Sequence, residues 1–297
     1  MQHDHPQQVD QPQWRQIDIR FNDRHATERH AIAHLGPVLM NGESTGLLAS
    51  WFFIRKQSWR FRYMPASSTS ACEATRLLED AARSLTDRGH ASRWVENIYE
   101  PETHAFGGNE GMKAAHNLFH QDSRHIFAHL SSLGDTTLSG EPSGRGLRRE
   151  LSVLLCAALM RAAGQDQYEQ GDIWATVADH RPTENSAQPE QWRTFKAAMK
   201  RLSTVNTSPE TVLRTRGALE FATDWLTAFE RAGETLKTLS DEGLLTRGIR
   251  AVTAHHIIFH WNRIGLPYQT QANIALAAKE TIFEDQRVCV DRRSIGC

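Results

Sequence analysis

The stretch LLASWFFIRKQSWRFRYM, Leu47 to Met64, decides the fold. Its first half, up to Lys56, is a near-continuous apolar run, the pattern of a central strand covered on both faces. Its second half alternates. Trp59, Phe61 and Tyr63 fall on one face, and Arg60 and Arg62 on the other. Only Gln57 and Ser58 separate the halves, so a tight hairpin is expected. Upstream, WRQIDIRFN (14–22) sets Ile17, Ile19 and Phe21 against polar neighbours, a second half-buried pattern. Downstream, a helix is expected from Ser70 to Arg88, with Leu77, Leu78, Ala81, Ala82 and Leu85 as its apolar stripe. The extended stretch RWVENIYEPE (93–102) follows it. Two strands, the hairpin partner, a helix and a last strand predict a small antiparallel sheet with helices on one face.

After Gly108 the period changes from two to 3.6. Helical periodicity covers Met112 to Leu133, Gly146 to Ala163, Gln191 to Leu202, Glu210 to Leu239, Arg247 to Arg263 and Thr270 to Phe283. The breaks are GDTTLSGEPSGRG (134–146) and DHRPTENSAQPE (179–190), rich in Gly, Pro, Ser and Asp. The first reads as a mobile loop beside a site. The class is therefore α+β: a small antiparallel sheet in the N-terminal third, packed with a mainly helical C-terminal part. Residues 1–13 read as a disordered polar tail, and 14–297 as a single domain.

Composition narrows the function. The chain has 297 residues, 39 % apolar and 23 % charged, an ordinary globular balance. A formal charge of −1 provides no global field for nucleic acid or an anionic membrane. No apolar run is long enough to span a membrane, and the start lacks the apolar stretch of a signal peptide. The four cysteines are scattered without a CxxC, which fits free thiols in a reducing cytoplasm. No GxGxxG followed by an acid, no Walker loop and no GxSxG elbow is present.

Three places carry residues suited to chemistry. Arg60 and Arg62, two apart on a strand, project the same way and lie roughly 7 Å apart. Such a fork suits a carboxylate or phosphate; a solvated outer face is the other reading. In YEPETHAFGG (99–108), Glu102 is placed near a strand end, where it could serve as a general base or pair with an arginine. Gly107 and Gly108 allow unusual backbone angles, and Asn109 is expected to cap the next helix. Third, histidines are paired four apart: His116 with His120, His125 with His129, and His256 with His260. Neither HNLFH nor HIIFH supplies the glutamate of HExxH, and thiolates at metal spacing are absent, so proton transfer is favoured over metal binding. In HHIIFHWNRIG (255–265), an apolar helix carries His256, His260, Asn262 and Arg263, which need partners if buried.

Taken together, WFFIRK with WRFRY, YEPETHAFGG with GM and AHNLFHQDSRH, and FHWNRIGL resemble the SpaB C-terminal, or thiopeptide-type bacteriocin biosynthesis, family. The likeness spans about Trp14 to Phe283. That family includes the elimination domains of class I lanthipeptide dehydratases and the pyridine synthases of thiopeptide assembly. The resemblance implies a ribosomal-peptide-modifying enzyme. In the elimination reading, a separate glutamylating LanB-like protein esterifies Ser or Thr of a precursor peptide (leader plus core) with glutamate from glutamyl-tRNA. This chain then expels the glutamate, leaving a dehydroamino acid, with no direct tRNA role of its own. The resemblance matches Arg60 and Arg62 to the family's paired arginines and Glu102 to its glutamate ahead of the glycine pair. It places a catalytic histidine at His260, with His256 second, and adds Tyr99, Asn262 and Arg263 to the substrate-binding set. No metal and no cofactor is expected, a homodimer is left open, and the location implied is cytoplasmic.

One position departs from the pattern. Where elimination domains carry an arginine before the aromatic-Gly-Gly, this chain has Ala105. Either another cation takes its place near Glu102, with His104 or Arg124 as candidates, or the chain is a pyridine synthase that joins two dehydroalanines in a formal [4+2] cycloaddition and expels the leader. A non-catalytic peptide-binding or scaffold protein is the third reading. The elimination reading places Glu102 opposite the strand arginines in a pocket walled by YEPETHAFGG.

Overall fold

The computed structural model describes residues 13–136, 147–183 and 188–294. All but the last residue of the expected tail at 1–13, and most of the expected mobile loop at 134–146, lie outside them. The chain divides into two compact units. One holds 13–100 and Phe127–Asp135; the other holds Pro101–Ile126, Thr136 and the described residues that follow.

The first unit is built on β1 (Arg15–Phe21), β2 (Leu48–Arg55), β3 (Trp59–Pro65) and β4 (Ala91–Asn97). They form one antiparallel sheet in the order β2-β3-β1-β4. The hairpin from Leu47 to Met64 is therefore present. Its register sets Phe53 opposite Phe61 and Phe52 opposite Arg62, while β1 sets Ile17 opposite Phe61 and Asp18 opposite Arg60. Trp51, Phe53, Phe61, Tyr63, Ile17 and Ile19 thus share the face that packs on helices, and all are essentially fully buried.

Two helices cover that face: α1 (Thr27–Ser44) and α2 (Ala71–Asp87). The second was expected, and it buries Ala74, Leu78, Ala82 and Leu85. The first was not expected. Its buried face is Ala31, Leu35, Gly36, Leu39 and Gly42, with Pro37 inside the helix. Small residues are required there: a Cβ on Gly36 would stand 3.2 Å from the Phe127 ring, and one on Gly42 would stand 2.9 Å from Leu48 and Leu77. Close approach of the backbone replaces side-chain bulk.

The second unit is helical. Its elements are the first part of α3 (Asn109–Thr136), then α4 (Leu147–Ala162), α5 (Gln167–His180), α6 (Pro189–Thr204), α7 (Val212–Thr215), α8 (Thr223–Asp241), α9 (Ile249–Ile264) and α10 (Tyr268–Ser294). The α5 helix is an addition to the sequence reading; Asp166 and Glu169 close a capping box at its start. The single helix expected from Glu210 to Leu239 is broken. The cause is Arg214, whose guanidinium is 2 % exposed and turns inward. It donates to the carbonyls of Thr207 and Thr223, to Thr227 Oγ1, and to Glu230 at 2.7 and 2.8 Å. Those partners need the chain to fold back between α7 and α8, which one continuous helix cannot do. The α+β class stands as expected. Among the described residues no helix is long and apolar enough to cross a membrane.

Candidate functional site

In the sheet unit, Arg60 and Arg62 do share one face. The register fixes this, because Gln16 opposes Arg62, Asp18 opposes Arg60, and both partners point away from the helix-covered side. Arg62 donates through Nε to Gln16 Oε1 at 2.8 Å, and Gln16 donates to Asp18 Oδ1 at 2.7 Å. Arg60 Nε stands 3.6 Å from Asp18 Oδ2, an ion pair too long for a hydrogen bond. Arg60 is about a third exposed, whereas Arg62 is 3 % exposed. The Arg62 guanidinium also lies over the Tyr99 ring at 4.1 Å and the Phe52 ring at 5.4 Å. Trp14 meets both rings edge-on. The unit thus brings together three of the predicted residues, Arg60, Arg62 and Tyr99, with one arginine rigidly held and one loosely held.

In the helical unit, the stretch after Glu100 is a turn and not a strand end. Glu102 lies beyond β4, and its carbonyl accepts the amides of Ala105 and Phe106. Gly107 and Gly108 follow at φ +81 and +96, and Cβ atoms there would press on Val252 and Thr246 at 3.0 Å. These angles are nearly closed to other residues. The Gly108 carbonyl accepts from Met112, so the helix is entered from Gly108 and not through an Asn109 cap. Gly111 is under the tightest constraint, since a Cβ there would meet the Phe106 carbonyl oxygen at 1.9 Å. Gly111→Ala should therefore force the turn off the helix and cost about 2–4 kcal/mol, read as a lowered urea midpoint. An unchanged midpoint would mean the turn is loosely held.

The cation brought to this turn is one the sequence reading passed over. Arg247 Nη1 donates to the Ala105 carbonyl at 3.1 Å, while the Gly107 carbonyl accepts the neighbouring Thr246 amide. His104 and Arg124, the candidates for that role, are exposed.

The second missed residue is Asp122, on α3. It is completely buried and joins three helices. Its Oδ1 accepts from Trp225 Nε1 of α8 at 2.9 Å, and its Oδ2 from Arg263 Nε of α9 at 2.8 Å. His260 Nδ1 lies 3.0 Å from both oxygens. Burial pushes the Asp122 carboxyl up, but His260 and Arg263 outweigh it and hold it below the usual carboxylate range. An ionised carboxylate only accepts, so it fixes the proton of His260 on Nδ1. Nε2 then points elsewhere and meets no hydrogen-bond partner among the described residues.

His256, one turn earlier, is also buried, between the rings of Phe106 and Phe119. Neither ring nitrogen finds a hydrogen bond among the described residues, and burial first, then Arg263, push its pKa down to about 3. It is a neutral imidazole at physiological pH. Asn262 faces α10, its Oδ1 accepting from Gln271 Nε2 at 3.2 Å. Thus the unit gathers His256, His260 and Arg263 around Asp122 and Phe119, and uses Asn262 for helix packing.

These two clusters carry the motifs of one family, and the comparison with known families agrees. The chain belongs to the family described as lantibiotic biosynthesis dehydratase C-term, whose model matches residues 14–282. Solved structures that share the fold include the following. The tRNA-dependent lantibiotic dehydratase MibB from Microbispora sp. 107891 is 16 % identical at a TM-score of 0.69, covering 94 % of this chain and 28 % of MibB. This chain therefore spans little more than a quarter of that dehydratase. TsrL is 15 % identical at 0.60, covering 92 % of this chain and 95 % of TsrL. The pyridine synthase TbtD from thiomuracin biosynthesis is 12 % identical at 0.62, covering 91 % of this chain and 98 % of TbtD. No curated protein matches the sequence.

Proposed function

We propose that this chain eliminates glutamate from glutamylated Ser or Thr of a precursor peptide. A separate glutamylating LanB-like protein would supply that substrate. The observation that carries the reading is the pairing of Arg60 and Arg62 on one sheet face, Arg62 held through its Nε by Gln16 and Arg60 in a longer ion pair with Asp18. In the reaction a base takes the α-proton, its electron pair forms the Cα=Cβ bond, and the Cβ–O bond to the glutamyl group breaks. Glutamate departs as a dianion with a protonated amine. Guanidiniums aimed at the departing carboxylate stabilise the charge that develops there. Glu102 or His260 is assigned the proton: His260 because its Nε2 is the ring nitrogen that Asp122 does not hold, Glu102 from its place ahead of the glycine pair. Arg247 supports the reading, since a cation stands at the turn where Ala105 lacks one.

A second reading has its own support. Ala105, where elimination domains carry an arginine, favours a pyridine synthase acting on two dehydroalanines. One experiment separates them. Purified protein is incubated with a glutamylated peptide, and separately with a leader-bearing peptide containing two dehydroalanines. Loss of glutamic acid from the first, followed by mass spectrometry, is the expected result. Release of leader from the second, with no change in the first, overturns elimination in favour of cycloaddition. Inertness towards both, with the leader peptide bound, would make the chain a peptide-binding protein.

A further inference from the structure

A cluster in the sheet unit is used by neither reading. His30 and His34 lie one turn apart on α1, and His90 sits in the connection between α2 and β4. One ring nitrogen from each lies within 4.8 Å of the other two. The rings pack on one another, His30 against His90 at 3.8 Å and His34 against His90 at 5.2 Å between centroids. From this geometry we infer that His30, His34 and His90 form a binding site for a divalent transition metal with nitrogen preference, Zn2+ in the first instance.

Two facts support it. The scaffold is held: the His90 amide donates to the Leu85 carbonyl, its own carbonyl accepts from Asn22, and Asn22 Nδ2 donates to the Gly89 carbonyl. Gly89 at φ +72 makes the turn that delivers His90 to α1. The number fits as well. Three imidazoles at Zn–N distances of about 2.0–2.1 Å need nitrogens roughly 3.4 Å apart, a small closure from the present spacing. All three residues are partly exposed, so an ion can enter.

This site goes against the sequence expectation of no metal, which was weighed on His116 with His120, His125 with His129, and His256 with His260. His30 and His34 are a fourth pair at that spacing, completed by a residue more than fifty positions away. The site lies within one unit, on the side of the sheet that α1 covers, and would clip α1 to the α2–β4 connection.

The test uses the full chain without an affinity tag, stripped with chelator and titrated with Zn2+ against a chromogenic competitor at pH 7.5. One equivalent should bind, and the thermal midpoint should rise with it. His30→Ala, His34→Ala and His90→Ala should each weaken that equivalent by about 100-fold or more. His3→Ala with His5→Ala, in the polar N-terminal stretch, should leave it intact. Since a variant could lose its fold, the wild type is also treated with diethyl pyrocarbonate. Zn2+ should shield these three histidines, read by peptide mapping. Failure of the wild type to bind Zn2+, equal binding by all three variants, or no shielding of the three histidines overturns the site.

Discussion

Asp122→Ala should lower stability by about 3–5 kcal/mol, among the largest single losses available in this chain. The carboxylate is fully buried and is the anion for Arg263, also fully buried. It accepts from His260 and from Trp225 as well. Deleting it leaves a guanidinium and an indole N–H in a dry core without this acceptor, and removing one member of a buried pair costs far more than the pair contributes on balance. Urea unfolding of wild type and variant reads the difference. Asp122→Asn should lose less, since an amide oxygen still accepts. It should also change the pH dependence. The folded carboxyl titrates below the unfolded one. Its contribution is therefore complete above the unfolded value of about 4 and is lost as pH falls through the folded value. The wild type should shed stability on acidification below about pH 4, and the Asn variant should shed less over the same window. Parallel curves would show that the carboxylate is not charged in the folded protein.

The sheet was legible because its period is local. Five strand residues in a row, from Trp59 to Tyr63, announce which side chains go in and which go out, and the register keeps that partition. The α2 stripe was equally plain. What escaped depends on partners far away in sequence. In α1 the apolar stripe is thin, because Gly36 and Gly42 are buried for closeness rather than bulk, and Pro37 reads as a breaker. A helix of small residues carries almost no 3.6-residue signal. The α5 start did have one, Asp166 followed three residues later by Glu169. At Glu210–Leu239 the period was continuous, but one inward arginine outweighed it. Site residues divide in the same way. Arg60, Arg62, His260 and Arg263 could be picked out because charge in an apolar pattern is conspicuous. Asp122 sat inside a quoted motif, yet its meaning lies in Trp225, His260 and Arg263, each more than one hundred residues on. Arg247 could not be read at all, since it meets Ala105 through a backbone carbonyl.

Removing either sheet arginine should halt the proposed reaction after glutamylation. Arg60→Ala or Arg62→Ala is expected to slow glutamate release by about 100- to 1000-fold, the usual loss when one donor to a developing anion is deleted. The glutamylated peptide should then accumulate in a reconstituted mixture and be visible by mass spectrometry. The two variants should differ in stability. Arg60 is a third exposed and its tie to Asp18 is long, so its removal should hardly affect folding. Arg62 is buried, donates to Gln16 and stacks on Tyr99, so its loss should also cost about 1–2 kcal/mol of stability. Arg60→Ala is accordingly the cleaner probe. Arg60→Lys sharpens it, because lysine keeps the charge but loses the planar fork. A rate between those of wild type and Arg60→Ala means that both charge and geometry act on the leaving carboxylate. A rate equal to that of Arg60→Ala assigns the effect to bidentate geometry. Unimpaired release in both alanine variants would reduce the arginine face to a polar surface, and elimination would lose the observation that carries it.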